Sequence, residues 1–183
     1  ADAIIVRCGI PTEFPPEVLA EAEEISKMTV TPEDIAQRLD LRDEPIFTID
    51  SAETKDIDDA ISVTACADGW QLGVHIADVS HYVRAGSAMD KEAMQRGTSV
   101  YFADNVIPML PRQLSNGVCS LNEGADRLAF SCIMQLDKTG AVQNFRFEKT
   151  VIRSRVKGVY SEINALLAGT ADEALVGKYG PVA

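Results

Sequence analysis

The chain has 183 residues, of which 46% are apolar and 25% are charged, and its formal net charge at pH 7 is −11. This length and composition are typical of one globular domain with a hydrophobic core. No apolar run approaches the roughly 20 residues of a membrane span, and the first residues lack the pattern of a secretion signal, so we expect neither a membrane nor a secreted protein. Four cysteines without paired spacing favour a reducing compartment, which we take to be the cytoplasm.

Residues 1–44 are predicted to be a helical connecting segment. Pro11 to Pro16 interrupts the chain, and the apolar spacing from Glu17 to Lys27 predicts a helix. Thr31-Pro32 is typical of a helix start, with Thr as the N-cap and proline at the first helical position. The main domain is expected over residues 45–183.

Strands dominate the first part of this domain. The pattern of apolar residues predicts strands at about 46–50, 60–66, 70–77 and 98–102, and a helix from Ser87 to Arg96. A hairpin is predicted from Arg127 to Leu136 and from Ala141 to Thr150, followed by a helix from Tyr160 to Leu167 and a further short helix. This mixture predicts an α+β fold that is rich in strands.

Four aspartates, Asp50, Asp56, Asp58 and Asp59, lie within ten residues at the predicted corner between the first two strands. Two carboxylates about 4 Å apart, at an effective dielectric constant near 20, repel each other by about 4 kcal/mol. A folded protein relieves such repulsion by protonating the groups, by turning them into water or by binding a cation. Oxygen ligands suit a hard divalent ion, so the cluster indicates a site for magnesium, or for manganese in its place.

The acidic cluster has other interpretations. A group of carboxylates is more often a solvated loop or the acidic first turn of a helix, but here strand-like apolar segments lie on both sides. A calcium-binding EF-hand loop that begins at Asp56 is excluded, because its sixth and twelfth positions hold Ile61 and Ala67 instead of Gly and Glu. Zinc is poorly supported, because the two histidines and four cysteines show no paired spacing.

Two residue types that often act in catalysis are expected to be structural here. His75 alternates with the apolar residues of its predicted strand, Leu72 to Ile76, and so lies on the opposite face of that strand. Cys119 and Cys132 lie in apolar stretches and are expected to be buried thiols, with no neighbouring group that would activate a nucleophile.

A series of motifs extends from residue 48 to residue 122. They are Thr48-Ile49-Asp50, Lys55-Asp56-Ile57-Asp58-Asp59-Ala60, His75-Ile76-Ala77-Asp78-Val79-Ser80-His81-Tyr82-Val83, Gly97-Thr98-Ser99-Val100-Tyr101-Phe102, Val106-Ile107-Pro108-Met109-Leu110-Pro111 and Leu114-Ser115-Asn116-Gly117-Val118-Cys119-Ser120-Leu121-Asn122. In this order and wording they closely resemble the catalytic RNB domain of the ribonuclease R and ribonuclease II family, with the details favouring the bacterial ribonuclease R branch. That domain is longer than residues 45–183, so the resemblance implies its N-terminal half, preceded by the linker that follows a cold-shock module.

The resemblance implies processive hydrolysis of single-stranded RNA from its 3′ end, with release of nucleoside 5′-monophosphates and with magnesium as cofactor. By similarity, Asp50 and Asp59 hold the firmly bound ion. Asp58 positions the attacking water or helps to hold a second ion, and Asp56 supports it. Ions held by these carboxylates could activate water and neutralise the charge that builds on the phosphate and the leaving oxygen.

Two tyrosines are predicted to contact RNA. A non-specific exonuclease must hold bases without reading them, and a base stacked on an aromatic ring gains about 1–3 kcal/mol. By similarity, Tyr101 packs on a nucleotide and helps to set the length of the final product, while Tyr160 lies near the scissile end. The alternative for each is a tyrosine that is half-buried in the core.

The net charge of −11, with an isoelectric point near 4.6, is the opposite of the usual pattern of an RNA-binding protein. Its distribution reduces the conflict, because residues 144–158 contain five basic residues against Glu148 alone. They are Arg146, Lys149, Arg153, Arg155 and Lys157. This basic stripe could follow a phosphate backbone or could be a solvated strand face. In the family, separate cold-shock and S1 modules supply much of the RNA affinity.

Two hypotheses of different class remain. In the first, the chain is part of a working exoribonuclease whose activity requires the second half of the catalytic domain and the cold-shock and S1 modules. In the second, the isolated chain is a non-catalytic module that binds metal and, weakly, RNA. We expect a monomer in either case.

Overall fold

The structure, a computed structural model, describes residues 2–102 and 105–182. Within these residues seven strands form one mixed sheet and two short strands form another, which together with the helices confirms the predicted α+β fold. The strands are β1 (Leu39–Asp40), β2 (Phe47–Asp50), β3 (Asp59–Cys66), β4 (Gly69–Ala77), β5 (Val100–Tyr101), β6 (Val106–Ile107), β7 (Asp126–Asp137), β8 (Val142–Arg153) and β9 (Val156–Val159).

The α-helices among the described residues are short, the longest having 11 residues. They are α1 (Asp2–Cys8), α2 (Pro16–Ser26), α3 (Pro32–Ala36), α4 (Val79–Tyr82), α5 (Ala88–Arg96), α6 (Tyr160–Leu167) and α7 (Glu173–Tyr179), with a π-helical turn at Leu114–Val118 and a 3-10 turn at Gly180–Val182. Thr31 caps α3 as predicted, since its hydroxyl accepts from the N–H of Asp34 at 3.1 Å. None of the helices in the described residues is both long and apolar enough to cross a lipid bilayer.

The chain divides into two compact units. One contains residues 1–29 and 79–118, and the other contains residues 30–78 and 119–183. The small sheet of β5 and β6 belongs to the first unit, and all the strands of the large sheet belong to the second.

In the large sheet the strand order is β1-β8-β7-β4-β3-β2-β9. β3 pairs with β4 and β7 with β8 as antiparallel hairpins, and β4 pairs antiparallel with β7 to join them. At the two ends of the sheet, β1 lies parallel to β8 and β9 lies parallel to β2. The parallel pairs bring distant parts of the chain together, which local patterns in the sequence do not reveal.

The predicted turn between β7 and β8 is held by Asp137. Its carboxylate accepts hydrogen bonds from the N–H groups of Thr139 at 2.8 Å and Ala141 at 3.1 Å, and from the Thr139 hydroxyl at 2.6 Å. The Thr139 hydroxyl, followed by these N–H groups, holds the pKa of Asp137 below its usual value. Gly140 completes the turn with a φ of 85°, which a residue with a side chain rarely adopts.

One face of the large sheet is buried and contains a chain of polar side chains centred on His75. The His75 ring lies 3.1 Å from the Ser62 hydroxyl through Nε2 and 2.7 Å from the Ser131 hydroxyl through Nδ1. The Ser131 hydroxyl in turn lies 2.7 Å from the Thr150 hydroxyl. These hydrogen-bonded side chains therefore link β3, β4, β7 and β8, and they satisfy polar groups that would be costly to bury alone.

The opposite face of the same sheet exposes large apolar side chains. Phe130 is 46% exposed, and Phe145 and Phe147 are each 58% exposed. The rings of Phe130 and Phe147 stack with centroids 5.8 Å apart. The side chains of β4 alternate between the two faces of the sheet, as predicted. However, His75 faces the interior, while its apolar neighbour Ile76 is 46% exposed.

In the first unit, Arg96 at the end of α5 collects several partners. It forms an ion pair of 2.8 Å with Glu92 and donates to the carbonyl oxygens of Pro11 at 3.0 Å and Pro108 at 3.3 Å. Its guanidinium also lies 3.7 Å from the centroid of the Phe14 ring. These contacts tie the segment before α2 and the segment after β6 to α5.

The structure also differs from the predicted elements. The strand expected at 98–102 is confined to Val100–Tyr101, and β9 was not predicted at all. β9 consists of Val156-Lys157-Gly158-Val159, a short segment with glycine and lysine that carries almost no strand signal. It forms because β2 offers a free parallel partner. The predicted boundary between residues 44 and 45 stays a prediction.

Gly158 is predicted to be required for the pairing of β9 with β2. A Cβ atom at Gly158 would lie 2.3 Å from the Thr48 carbonyl oxygen, which is backbone and cannot move aside cheaply. We expect Gly158→Ala to lower the free energy of unfolding by about 1–3 kcal/mol in urea denaturation. Gly177→Ala in α7 is the control, since no heavy atom lies within 4 Å of its Cβ position, and it should raise stability by about 0.5–1 kcal/mol. Equal effects of the two variants would contradict the prediction.

Candidate active site

The four candidate aspartates lie where β2 ends and β3 begins. Asp50 is the last residue of β2, Asp59 is the first residue of β3, and Asp56 and Asp58 lie in the loop between them. The predicted strand-loop-strand corner is therefore present. Asp50 and Asp56 are half-buried, while Asp58 and Asp59 are exposed.

The second part of the loop is fixed through its backbone. The side chain of Ile57 is buried, with 1% exposure, and its carbonyl oxygen accepts from the N–H of Leu121 at 2.9 Å. The carbonyl oxygen of Asp58 accepts from the N–H of Ala77 at 2.9 Å. The loop thus has no regular secondary structure, but its backbone conformation is held by hydrogen bonds and by the buried Ile57 side chain between Asp56 and Asp58.

The first part of the loop is held by Lys157 of β9. Its Nζ donates to the carbonyl oxygens of Ala52 at 3.0 Å and Thr54 at 2.7 Å. The positive charge of Lys157 also acts on Asp50, where it opposes the rise in pKa described below. Lys157 therefore both positions the loop and partly offsets its negative charge.

The carboxylates influence one another electrostatically. Burial, followed by the negative charges of Asp59 and Asp56, raises the pKa of Asp50 above its usual value. Burial also raises the pKa of Asp58, with further contributions from Asp56, Asp59 and Asp50 in that order. Asp58 is exposed as a whole residue, but its carboxyl group is partly desolvated and lies near other carboxylates. The sequence-based prediction of mutual repulsion agrees with these shifts.

The donor chemistry of the corner fits a hard divalent cation, because it consists of carboxylate oxygens that repel one another. The side-chain positions are a separate matter. Within residues 2–102 and 105–182, no three His, Cys, Asp or Glu side chains are gathered into a set that could hold a metal ion. A cation at this corner would therefore have to draw in carboxylates whose backbone is already fixed.

The two candidate tyrosines are both exposed, which excludes the alternative that they pack in the core. Tyr160 is 57% exposed at the start of α6, directly after Val159, which is the register partner of Asp50 in the pairing of β9 with β2. The sheet therefore places Tyr160 next to the end of the strand that carries Asp50. Tyr101 is 67% exposed at the end of β5, in the other compact unit.

Two residues near Tyr160 were not foreseen. The Tyr179 hydroxyl accepts from the N–H of Val159 at 3.0 Å and donates to a carboxylate oxygen of Glu162 at 2.7 Å. Tyr179 is buried and so joins α7 to the end of β9 and to α6. No sequence signal marks this contact, because a lone tyrosine in a short helix has no distinctive pattern.

Each of the five residues of the predicted basic stripe has a partner within the protein. Arg146 pairs with Glu148, Lys149 with Asp78, Arg153 with Asp126 and Arg155 with Asp43, and Lys157 holds the acidic loop. Arg146 and Lys149 lie on opposite faces of β8, because they are three positions apart in a strand. These residues therefore do not form one continuous surface for a phosphate backbone.

His75 and Cys119 have the structural character that was predicted. Burial lowers the pKa of His75 to about 4, and both ring nitrogens contact hydroxyl groups, so the ring is neutral at pH 7 and remote from solvent. Burial, followed by the charge of Asp58, raises the pKa of Cys119 to about 12, which keeps the thiol protonated. Cys132 is half-buried, not buried as expected, because it lies on the apolar face of β7 that is open to solvent.

Comparison with known proteins indicates one family. The family model of the RNB domain matches residues 38–179. Ribonuclease R of Thermotoga maritima is 51% identical over 168 residues, which cover 90% of this chain and 24% of that relative. Ribonuclease R 1 of Lactococcus lactis is 45% identical over 181 residues, which cover 98% of this chain and 22% of that relative.

A solved structure shows the same fold. Mycoplasma genitalium RNase R in complex with ribose methylated single-stranded RNA is 32% identical and matches with a TM-score of 0.86, over 98% of this chain and 29% of that one. This chain thus spans less than a third of each of the three proteins named here.

His75 makes stability depend on pH. Its pKa is about 4 when folded and 6.5 when unperturbed, so between these values the unfolded chain binds a proton that the folded chain does not. The free energy of unfolding should therefore fall as the pH is lowered from 6.5 to 4, by at most about 3 kcal/mol from this residue. When the free energy of unfolding is measured by urea denaturation at several pH values in this range, its slope against pH should be shallower for His75→Gln than for the wild type. Identical slopes would show that His75 is not the titrating group.

Proposed function

Because this chain belongs to the RNB domain family, we propose that it is part of a processive exoribonuclease that hydrolyses single-stranded RNA from its 3′ end and releases nucleoside 5′-monophosphates. The observation that carries the proposal is the acidic corner between β2 and β3. There, burial and the charges of neighbouring aspartates raise the pKa values of Asp50 and Asp58. The choice of substrate is supported by the RNase R structure that contains single-stranded RNA.

Magnesium is the proposed cofactor, and manganese is the expected substitute. When bound, the ion would supply a positive charge that stabilises the phosphate and activates a water molecule. Asp50 and Asp59, at the ends of two strands, are proposed to hold it. Asp58 is proposed to orient the attacking water, as an ionised carboxylate that accepts its hydrogen bond, or to help hold a second ion, and Asp56 is proposed to support Asp58.

Tyr101 and Tyr160 are proposed to contact the RNA through their rings. Both are exposed, and a base can stack on either ring without being read. Tyr160 follows the register partner of Asp50, so a nucleotide on its ring would lie close to the acidic corner. This position fits contact with the scissile end of the RNA.

The activity is proposed for a polypeptide longer than this chain, because this chain covers only 22% and 24% of the two ribonucleases R named above. A second candidate function is a module that binds metal and, weakly, RNA without hydrolysing it. It is favoured by one observation, namely this partial coverage of the relatives.

The proposal is tested by degradation of a 5′-labelled single-stranded RNA, with magnesium and with EDTA, by this chain and by the longer protein that contains it. A ladder that shortens from the 3′ end only when magnesium is present would support the proposed activity. If the longer protein gives this ladder and the chain alone does not, hydrolysis requires further segments. If neither cleaves RNA although both bind manganese, the second candidate function is correct.

Asp58 is predicted to be essential for the chemical step. In the longer protein, Asp58→Asn should lower turnover by about 100-fold or more, because the amide cannot accept a proton or hold a cation as the carboxylate does. RNA affinity should be retained, since the change removes a negative charge from a repulsive cluster. The control is Asp68→Asn, which removes an exposed carboxylate in the turn between β3 and β4 and should leave turnover unchanged. Wild-type turnover of Asp58→Asn would overturn the assignment.

Tyr101 is predicted to set the length of the final product. Loss of the ring in Tyr101→Ala removes a stacking contact of about 1–3 kcal/mol, so short products should dissociate earlier and accumulate at greater length. Tyr101→Phe keeps the ring and should give the wild-type product. Gel analysis of end products compares the three proteins, and an unchanged product from Tyr101→Ala would exclude this role.

A further inference from the structure

Ser120 lies against the acidic loop and belongs to the motif from Leu114 to Asn122, in which no residue has been given a role in the site. It is fully buried, with 0% exposure. Its hydroxyl donates to the carbonyl oxygen of Lys55 at 2.7 Å and accepts from the N–H of Ile57 at 3.1 Å. One side chain thus bridges the backbone immediately before and immediately after Asp56.

The contacts around Ser120 make this bridge rigid. Its own carbonyl oxygen accepts from Nε of Arg127 at 2.7 Å, and the next residue, Leu121, donates to the carbonyl oxygen of Ile57. Together with the bond from Ala77 to Asp58, these contacts satisfy backbone groups on both sides of Asp56 and the carbonyl oxygen of Asp58. The loop carries like charges and has no ladder of its own, so these bonds, together with those of Lys157, oppose its spreading.

We propose that Ser120 is a positioning residue that, by bridging the backbone on both sides of Asp56, limits how far the Asp56 and Asp58 carboxylates of the acidic corner can move apart, so that a divalent cation can draw them together. The inference rests on the proposed function, since it assigns Ser120 to the same metal site. Without the hydroxyl, the carbonyl of Lys55 and the N–H of Ile57 lose their buried partner, and repulsion between the carboxylates moves the loop outward. A cation must then draw the carboxylates in over a greater distance before it can be held, which lowers its affinity.

The magnitude follows from how such supporting groups behave elsewhere. Replacing a residue that orients metal ligands typically lowers metal affinity or activity by about 10–100-fold. A residue with a merely structural role lowers stability and leaves the affinity of the folded protein unchanged. The two roles are therefore separated by measuring metal affinity and stability in the same variant.

Ser131 offers a matched control. It is also a fully buried serine whose hydroxyl makes short contacts, at 2.7 Å to His75 and 2.7 Å to Thr150, but these lie in the buried face of the sheet and do not touch the loop. Ser120→Ala and Ser131→Ala thus remove the same atom from similarly buried positions. Only Ser120→Ala removes it from the acidic corner.

The experiment measures Mn²⁺ binding to this chain by calorimetry, with urea denaturation of the same samples, and turnover of single-stranded RNA by the longer protein. We expect Ser120→Ala to weaken Mn²⁺ binding and to lower kcat by about 10–100-fold while KM for RNA is retained. Ser131→Ala should lose stability but keep Mn²⁺ affinity and kcat. If a folded Ser120→Ala binds Mn²⁺ as tightly as the wild type does, or if both variants weaken binding equally, the proposal is wrong.

A measurement on the wild type keeps the test decisive if Ser120→Ala does not fold. Hydrogen exchange of the Ile57 amide should already be slow without metal, because the Ser120 hydroxyl accepts its bond; exchange as fast as in an open loop would overturn the proposal. Failure of the proposed function is recognised separately, since the wild type would then bind no Mn²⁺, or Asp58→Asn would keep full turnover.

Discussion

The position of β2 between β3 and β9 is the constraint on which the acidic corner depends. β2 runs antiparallel to β3, so the end of one strand meets the start of the other and Asp50 comes close to Asp59. β9 lies parallel on the other side of β2 and brings Val159, followed by Tyr160, to the same end. The order of these strands therefore brings the exposed ring of Tyr160 and the carboxylates of Asp50 and Asp59 to the same end of the sheet.

The backbone holds these carboxylates close in spite of their repulsion. Ile57 is buried between Asp56 and Asp58, and bonds from Ser120, Leu121 and Ala77 fix the chain around it. Lys157 contributes positive charge, while the other basic residues of its stretch are paired with carboxylates elsewhere. The corner thus retains excess negative charge, which accounts for its expected preference for a cation.

Local patterns predicted the hairpins, the caps and the corner because each depends on residues close in sequence. The strands β3 and β4, the Asp137 turn and the Thr31 cap were all confirmed. β9 was missed because its four residues pair with a strand more than 100 positions earlier. The sequence allows two interpretations of the basic stripe, because it shows which charges are neighbours along the chain and not which carboxylates meet them in space.

For the candidate site, the sequence by itself determined the ligand chemistry: four aspartates between two strands, whose oxygen atoms suit a hard cation. The motifs also indicated the family, which the match over residues 38–179 confirms. Only the tertiary structure decided that Lys157 and Ser120 hold the loop, that His75 faces the interior, and that both candidate tyrosines are exposed. The physical reason is that ligand type is a property of single residues. The support of the loop and the exposure of side chains depend on contacts between segments that lie far apart in sequence, in the case of Lys157 by more than 100 residues.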